Sequence, residues 1–214
     1  MPDHPLEDPA VVRAIERAAS THRGSRWTAT GFTDLNDRAS HPCGILHGRP
    51  FSVFAKVDRD PDAVEQFTVE LAGHDLIRRS GGVATPEPVG DGLLRLDAGA
   101  VLLLEAVTEV PPGARTADQW RDIGRAFAIL HRAHADRFGL RDFDGFFGPL
   151  RQDNRPVQAD RWADFYAERR LLPRLRDAVE RGRLDADVTA GVERLIGRLP
   201  ELCGPEPVPS LVHG

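Results

Sequence analysis

Between Phe51 and Arg79 the periodicity of the sequence changes once, and sharply. Phe51, Val53, Ala55 and Val57 alternate with Ser52, Phe54 and Lys56, the two-residue period of a strand. Shortly afterwards Val64, Phe67 and Leu71 recur at helical spacing, in a segment running from Asp62 to Arg79 and stopping at Gly81-Gly82. A strand that gives way so quickly to a helix, with further extended runs on both sides, confines the chain to a mixed α+β architecture.

The neighbouring segments extend this pattern. Asp8 to Ala19 reads as a helix through Val11, Ala14, Ile15 and Ala18, and Arg26 to Phe32 as a strand followed by a turn at GFTDLND. GILHGRPFSVFAKVD holds two extended runs around Gly48-Arg49, and GLLRLD and AVLLLEAV form a hairpin around Asp97-Ala98-Gly99. Beyond the linker PPG the strand patterns give way to helices. Thr116 and Gln119 form a capping box, followed by an apolar stripe of Trp120, Ile123, Phe127, Leu130 and His134 on one long helix. Residues 139–156 are turn-rich. A helix from Asp160 is kinked at Pro173, and another begins at Asp185 or Asp187. Ser210 to Val212 reads as a short strand. The expected organisation is a sheet-rich lobe over residues 1–107, a hinge over 108–115 and a helical lobe over 116–214.

Composition excludes several function classes. A net charge of -5 offers no basic face for nucleic acid. The longest apolar run, Ala98 to Leu104, is too short to cross a membrane. The proline-rich, acidic N-terminus is unlike a signal peptide, and Cys43 and Cys203 fit no metal spacing, so a reducing cytoplasm is the expected compartment. Of the 28 basic residues Lys56 is the single lysine. An ammonium is a compact point charge where a guanidinium is a wide fork, so a lysine retained among arginines hints at a task of shape.

On its own Lys56 reads as a solvated edge lysine and Glu70 as a surface carboxylate. Together they match a device in which a strand lysine, held by a helix glutamate, meets the phosphates of ATP. LLLEAV would then run into a hinge, where Glu105, Ala106 and Val107 offer backbone groups to an adenine edge. TGFTDLND stands where a phosphate loop belongs, with Gly31, Thr33 and Asn36 as its candidate contacts, although it carries one glycine. No P-loop, no G-x-G-x-x-G after a strand, no H-E-x-x-H and no G-x-S-x-G is present. His131 and His134 lack a third metal ligand in the sequence and read as core or surface histidines. AERRLLPRLRD reads as a solvated basic helix face.

RWADFYAERRLLPRLRDAVERGRL closely resembles the W-x-x-F-x-x-E-R-R-L-L-P-x-L helix of the fructosamine kinase family. FDGFFGPLRQDNRP, IGRAFAILHR, FSVFAKV, FTVELAGHDLI and LLLEAV follow other segments of that family in order, so the resemblance spans about residues 8–214. It implies a two-lobed, protein-kinase-like fold related to the aminoglycoside phosphotransferases. The implied activity is transfer of phosphate from ATP, with Mg²⁺, to a sugar hydroxyl of a ketosamine, a small amine-sugar acceptor. The stretch from Phe143 to Asn154 would help shape the acceptor site.

In the family an L-[LV]-H-G segment like LVHG precedes a general-base aspartate and metal ligands. His213 would brace that catalytic loop, and the aspartate would lie past Gly214. The expectation is therefore a fragment without transferase activity, its metal ligands beyond the end of the chain. The paired glycines of the family's phosphate loop are absent, which leaves phosphate-loop geometry and acceptor open. Two alternatives stand beside this reading: a kinase of aminoglycosides or other antibiotics, and a non-catalytic, pseudokinase-like binding module.

Overall fold

The computed structural model describes residues 4–205 and 208–212. The chain divides into two compact units, residues 1–124 and 125–214.

In the first unit Asp8 caps helix α1 (Pro9–Arg23) by accepting a hydrogen bond from the Ala10 amide, and the left-handed Gly24 ends it. Five antiparallel strands follow: β1 (Gly31–Asp34), β2 (Cys43–His47), β3 (Val53–Asp58), β4 (Pro88–Arg95) and β5 (Ala100–Glu105). They lie in the order β1-β2-β3-β5-β4, with helix α2 (Ala63–Gly81) between β3 and β4. Alternation sorts the side chains between two cores. Val53, Ala55, Val57, Val101 and Leu103 pack with Leu6, Val11 and Ile15 from the N-terminal segment and α1. Ala100, Leu102 and Leu104 pack with Ala63 and Phe67 of α2 on the other face, with Phe54 against them. The strand β5 is covered on both sides, which is why its sequence runs apolar without alternation. Gly99 turns the chain into it at φ 84°, where a side-chain Cβ would run into the Asp58 carbonyl oxygen.

Two expectations for this unit are corrected. The strand foreseen from Arg26 starts later, at Gly31. Before it Trp27 is buried, its indole N–H donating to the Phe51 carbonyl at 3.0 Å. The segment foreseen as a turn, GFTDLND, is β1 itself as far as Asp34. Its residues pair with Gly44–His47, and the reversal falls on residues 35–42, beginning with a 3-10 turn at Asn36–Arg38. Phe32 and Thr33 suit a strand, and the neighbouring β2 offers the ladder that a turn would have left unmade.

The capping box forms as foreseen: the Thr116 amide donates to Gln119 Oε1 at 2.8 Å, and the Gln119 amide to Thr116 Oγ1 at 3.2 Å. Helix α3 (Ala117–Leu130) follows and runs across the division between the units. It stops at Leu130, short of His134. Amides 132 and 133 bond three residues back, and extended pairing then takes over: Leu211 donates to the Ala133 carbonyl and Ala135 to the Pro209 carbonyl. His134 is thus opposite Ser210 in an isolated bridge instead of on the helical stripe, and residues 210–212 form no strand of their own.

In the second unit the turn-rich stretch contains a small hairpin, β6 (Gly145–Phe147) and β7 (Leu150–Gln152). Helix α4 (Trp162–Tyr166) passes into a π-turn at Ala167–Leu171 and then α5 (Leu172–Glu180), with Pro173 at its start. The chain thus breaks its regular helical bonding just before Pro173, whose missing N–H costs nothing at a helix start. Helices α6 (Ala186–Gly197), capped by Asp185, and α7 (Leu199–Leu202) complete the unit. Phe138, Val157 and Phe165 form its core cluster, with Trp162 packed against it.

AERRLLPRLRD is not a solvated face. The guanidinium of Arg170 donates to the Asp153 carbonyl at 2.7 Å and to Asn154 Oδ1 at 2.6 Å, and stacks over Phe165. Arg169 donates to the Arg155 carbonyl at 2.8 Å, and Arg174 to the Arg151 carbonyl. These arginines tie the loop after β7 to the helix.

Candidate active site

Lys56 leaves β3 on the face that α2 covers, so the helix dictates its surroundings. Its ammonium donates to both carboxylate oxygens of Glu70, at 2.7 and 2.5 Å. The lysine side chain is 16% exposed and the glutamate 30%, so the pair is largely withdrawn from water and screened little by salt. The Phe67 ring lies 5.5 Å from the ammonium, one turn before Glu70 on the same helix. Among the described residues Lys56 finds two acceptors, both on Glu70, and an ammonium carries three donors. One N–H is left for a further anion. The edge position expected of an isolated lysine is corrected: β3 is interior to the sheet, and α2 covers the face that carries Lys56.

His74, one turn beyond Glu70 on the same helix, is a residue of the site that the sequence did not single out. Its Nδ1 is buried with no hydrogen-bond partner among the described residues. Burial pushes the imidazole below its ordinary pKa, the Glu70 carboxylate works against that, and Lys56 and Arg78 add to it.

Cys43 pairs with Lys56 across β2 and β3 and links it to the β1–β2 turn. The Cys43 amide donates to Asn36 Oδ1 at 2.9 Å, and burial pushes its thiol pKa up. The same oxygen lies 2.9 Å from His4 Nε2. His4 Nδ1 accepts from the Leu6 amide, so Nε2 carries the proton and donates. The Asn36 amide donates to Asp34 Oδ1 at 2.8 Å. Asn36 is thus a latch that holds the turn. Thr33 Oγ1 meets His47 Nε2 at 2.7 Å, and Gly31 pairs with His47 in β1. This strand lies two places from β3, about 10 Å away at ordinary strand spacing.

At the far end of β5 the Glu105 amide donates to the Glu87 carbonyl at 2.7 Å and the Ala106 amide to the Ser52 carbonyl at 2.8 Å. The Glu105 carboxylate reaches His22 Nε2 at 3.4 Å, while His22 Nδ1 accepts from the Gly90 amide. Glu105 and Ala106 are therefore anchored, and Val107 beyond them is 66% exposed. His213 lies outside the described residues. Among the described residues no group of three or more His, Cys, Asp or Glu side chains could hold a metal ion, and no helix is long and apolar enough to cross a membrane.

This combination, a strand lysine bound to a helix glutamate on a five-stranded antiparallel sheet, can be compared with known proteins. A sequence model of the Fructosamine kinase family matches residues 11–214. A protein of Escherichia coli strain K12 named Probable ketoamine kinase YniA is 31% identical over 162 residues, which are 75% of this chain and 52% of that protein. A probable ketoamine kinase of Synechocystis is 30% identical over 154 residues, covering 70% of this chain and 48% of its own length. The chain thus spans about half the length of these relatives. A solved structure assigned as a fructosamine-3-kinase from Thermobifida fusca superposes with a TM-score of 0.73 at 29% identity, over 95% of this chain and 67% of that one. Another from Haemophilus somnus, 21% identical with a TM-score of 0.73, shares the fold over 94% of this chain and 65% of its own. The fold is the kinase-like α+β fold that the sequence resemblance implied, and the chain belongs to the fructosamine kinase family.

Proposed function

We propose that the chain carries the nucleotide-binding part of an ATP-dependent kinase that phosphorylates a sugar hydroxyl of a ketosamine, together with part of its acceptor region. The observation that carries this reading is the two-oxygen contact between Lys56 and Glu70, which leaves an oriented ammonium with one donor to spare. Bound ATP would supply the transferable phosphoryl group. Lys56 would meet its α- and β-phosphates, and Glu70 would hold the lysine in place. Gly31 and Thr33 of β1, with Asn36 of the latched turn, would define the phosphate side. Glu105, Ala106 and Val107 would receive adenine at the end of β5. His213 would brace the catalytic loop. The described residues do not fit a Mg²⁺ site, so no step is assigned to the metal through them.

The lobe boundaries 1–107, 108–115 and 116–214 go with this assignment of roles, as does a cytoplasmic setting, in keeping with the free thiols of Cys43 and Cys203. The test has two stages. ATP should bind this chain, measured by calorimetry, and Lys56→Ala should weaken that binding by at least tenfold. In the complete gene product Lys56→Ala should lower the rate of ADP release with a glycated amine by about a hundredfold. A variant phosphorylating at the wild-type rate would sink the reading. Nucleotide binding without transfer by the complete product would favour a non-catalytic binding module.

A further inference from the structure

The most specific motif of the sequence, the Arg-Arg-Leu-Leu-Pro stretch, is not absorbed by the nucleotide reading. Arg169 and Pro173 of this stretch border a cavity of about 470 Å³ in the second unit, within the range of small-molecule pockets. Four arginines line it: Arg151 and Arg155 from the hairpin and the loop after it, Arg169 from the π-turn, and Arg174 from α5. Two carboxylates, Asp144 and Asp153, face these four guanidinium groups, which leaves an excess of two positive charges. Hydrogen bonds from Arg155 hold the Asp153 carboxyl at a pKa of about 2, so the count holds throughout neutral pH.

Two of these arginines stand on either side of the end of the π-turn, Arg169 within it and Arg174 in α5. In a regular helix residues 169 and 174, five positions apart, would point about 140° away from each other. A π-turn closes between residues five apart and brings such positions toward one face, and π-turns recur at functional sites. The loop side is fixed by contacts already described: Arg170 holds Asp153 and Asn154, and Arg169 holds the Arg155 carbonyl. Donor capacity remains. Arg155 satisfies Asp153 through two nitrogens, at 3.0 and 2.8 Å. Among the described residues Arg174 gives one hydrogen bond, to the Arg151 carbonyl, from a group with five N–H donors.

We propose that this cavity is an oxyanion site, which binds the carboxylate or phosphate group of a small polyhydroxylated molecule through Arg155 and Arg174. Guanidinium forks match either group with paired hydrogen bonds. The Pro173 ring in the lining offers apolar surface beside them. Asp144, Arg151 and Asp153 lie in the stretch assigned to the acceptor region, so the polyhydroxylated part of the ligand rests on the proposed function, whereas the test contains no ATP and fails separately from that reading.

The test is calorimetric titration of this chain at low salt with four probes: inorganic phosphate, fructose 6-phosphate, fructosyl-glycine and fructose. Saturable binding of an anionic probe is expected, with none by fructose. Preference for the phosphate probes or for fructosyl-glycine would show whether the group is a phosphate or a carboxylate. Arg174→Gln should weaken binding about tenfold. Arg155→Gln should do the same and serves if the first variant unfolds by circular dichroism. Arg181→Gln, which lies outside the cavity lining, should bind as wild type. The proposal is overturned if the anions bind no better than fructose, or if the folded Arg155 and Arg174 variants bind them as tightly as the parent.

Discussion

Lys56 and Glu70 are fourteen positions apart, and their contact makes two half-withdrawn charges depend on each other. Removing one leaves the other in a poorly hydrated place, so each single substitution should destabilise more than the double one implies. A double-mutant cycle with Lys56→Met and Glu70→Gln, read by urea unfolding, should give a coupling on the order of 1–2 kcal/mol. A coupling near zero would mean that water already satisfies both groups.

His74 adds a pH dependence at the same scale. Its folded pKa is depressed, so below the ordinary imidazole pKa the unfolded chain binds the extra proton more readily than the folded one does. This contribution to stability is present above about pH 6.5 and is lost as pH falls toward the folded value. Melting temperatures recorded from pH 7.5 down to 5 should decline less steeply for His74→Gln than for the parent. Parallel curves would place the titrating group elsewhere. The Lys56–Glu70 pair was legible in the sequence because a lone lysine on a patterned strand and a glutamate on the next helix are local signals. His74 was not, because nothing local marks a histidine whose Nδ1 is withdrawn from water beside an ion pair.

Among the elements, termini and turns follow local chemistry and invite local tests. Thr116→Ala removes one half of the capping box and should cost about 1 kcal/mol in unfolding free energy. Gly99→Ala would force a left-handed alanine and set its Cβ inside the contact distance of the Asp58 carbonyl oxygen. Strain and clash together should cost more than the capping change, roughly 2 kcal/mol or beyond. The same denaturation assay ranks the two, and the reverse order would show that the β4–β5 turn yields easily. Helices α1, α2 and α6 and the β4–β5 hairpin were readable from periodicity and caps. β1 was misread because a four-residue edge strand carries too little alternation to outweigh its turn-prone residues. The end of α3 was misread because the pairing of residues 133–135 with 209–211 is contributed by a segment distant in sequence.

At the scale of the molecule, the two units differ in how their apolar residues are covered. The first holds a sheet with a core on each face, whereas among the described residues the second has one small core cluster, of Phe138, Val157 and Phe165, and ties its loops down with arginine. Limited proteolysis should therefore cut first within residues 125–214, and residues 1–124 should persist as a protected product, identified by mass. Early cleavage in the β2–β3 region would contradict this.

The sequence by itself determined the α+β class, the sheet-then-helix order, the alternation of β3, and the pairing of the single lysine with Glu70. Each of these is written in periodicity, in caps, or in a spacing that one strand and the following helix can close. The tertiary structure decided the rest: Asn36 as a latch, the buried Nδ1 of His74, and Arg169 and Arg174 of an expected solvated helix face gathered on one cavity. Those features depend on which distant carbonyl, carboxylate or ring each side chain meets. Such meetings are set by the packing of elements and leave no period in the chain.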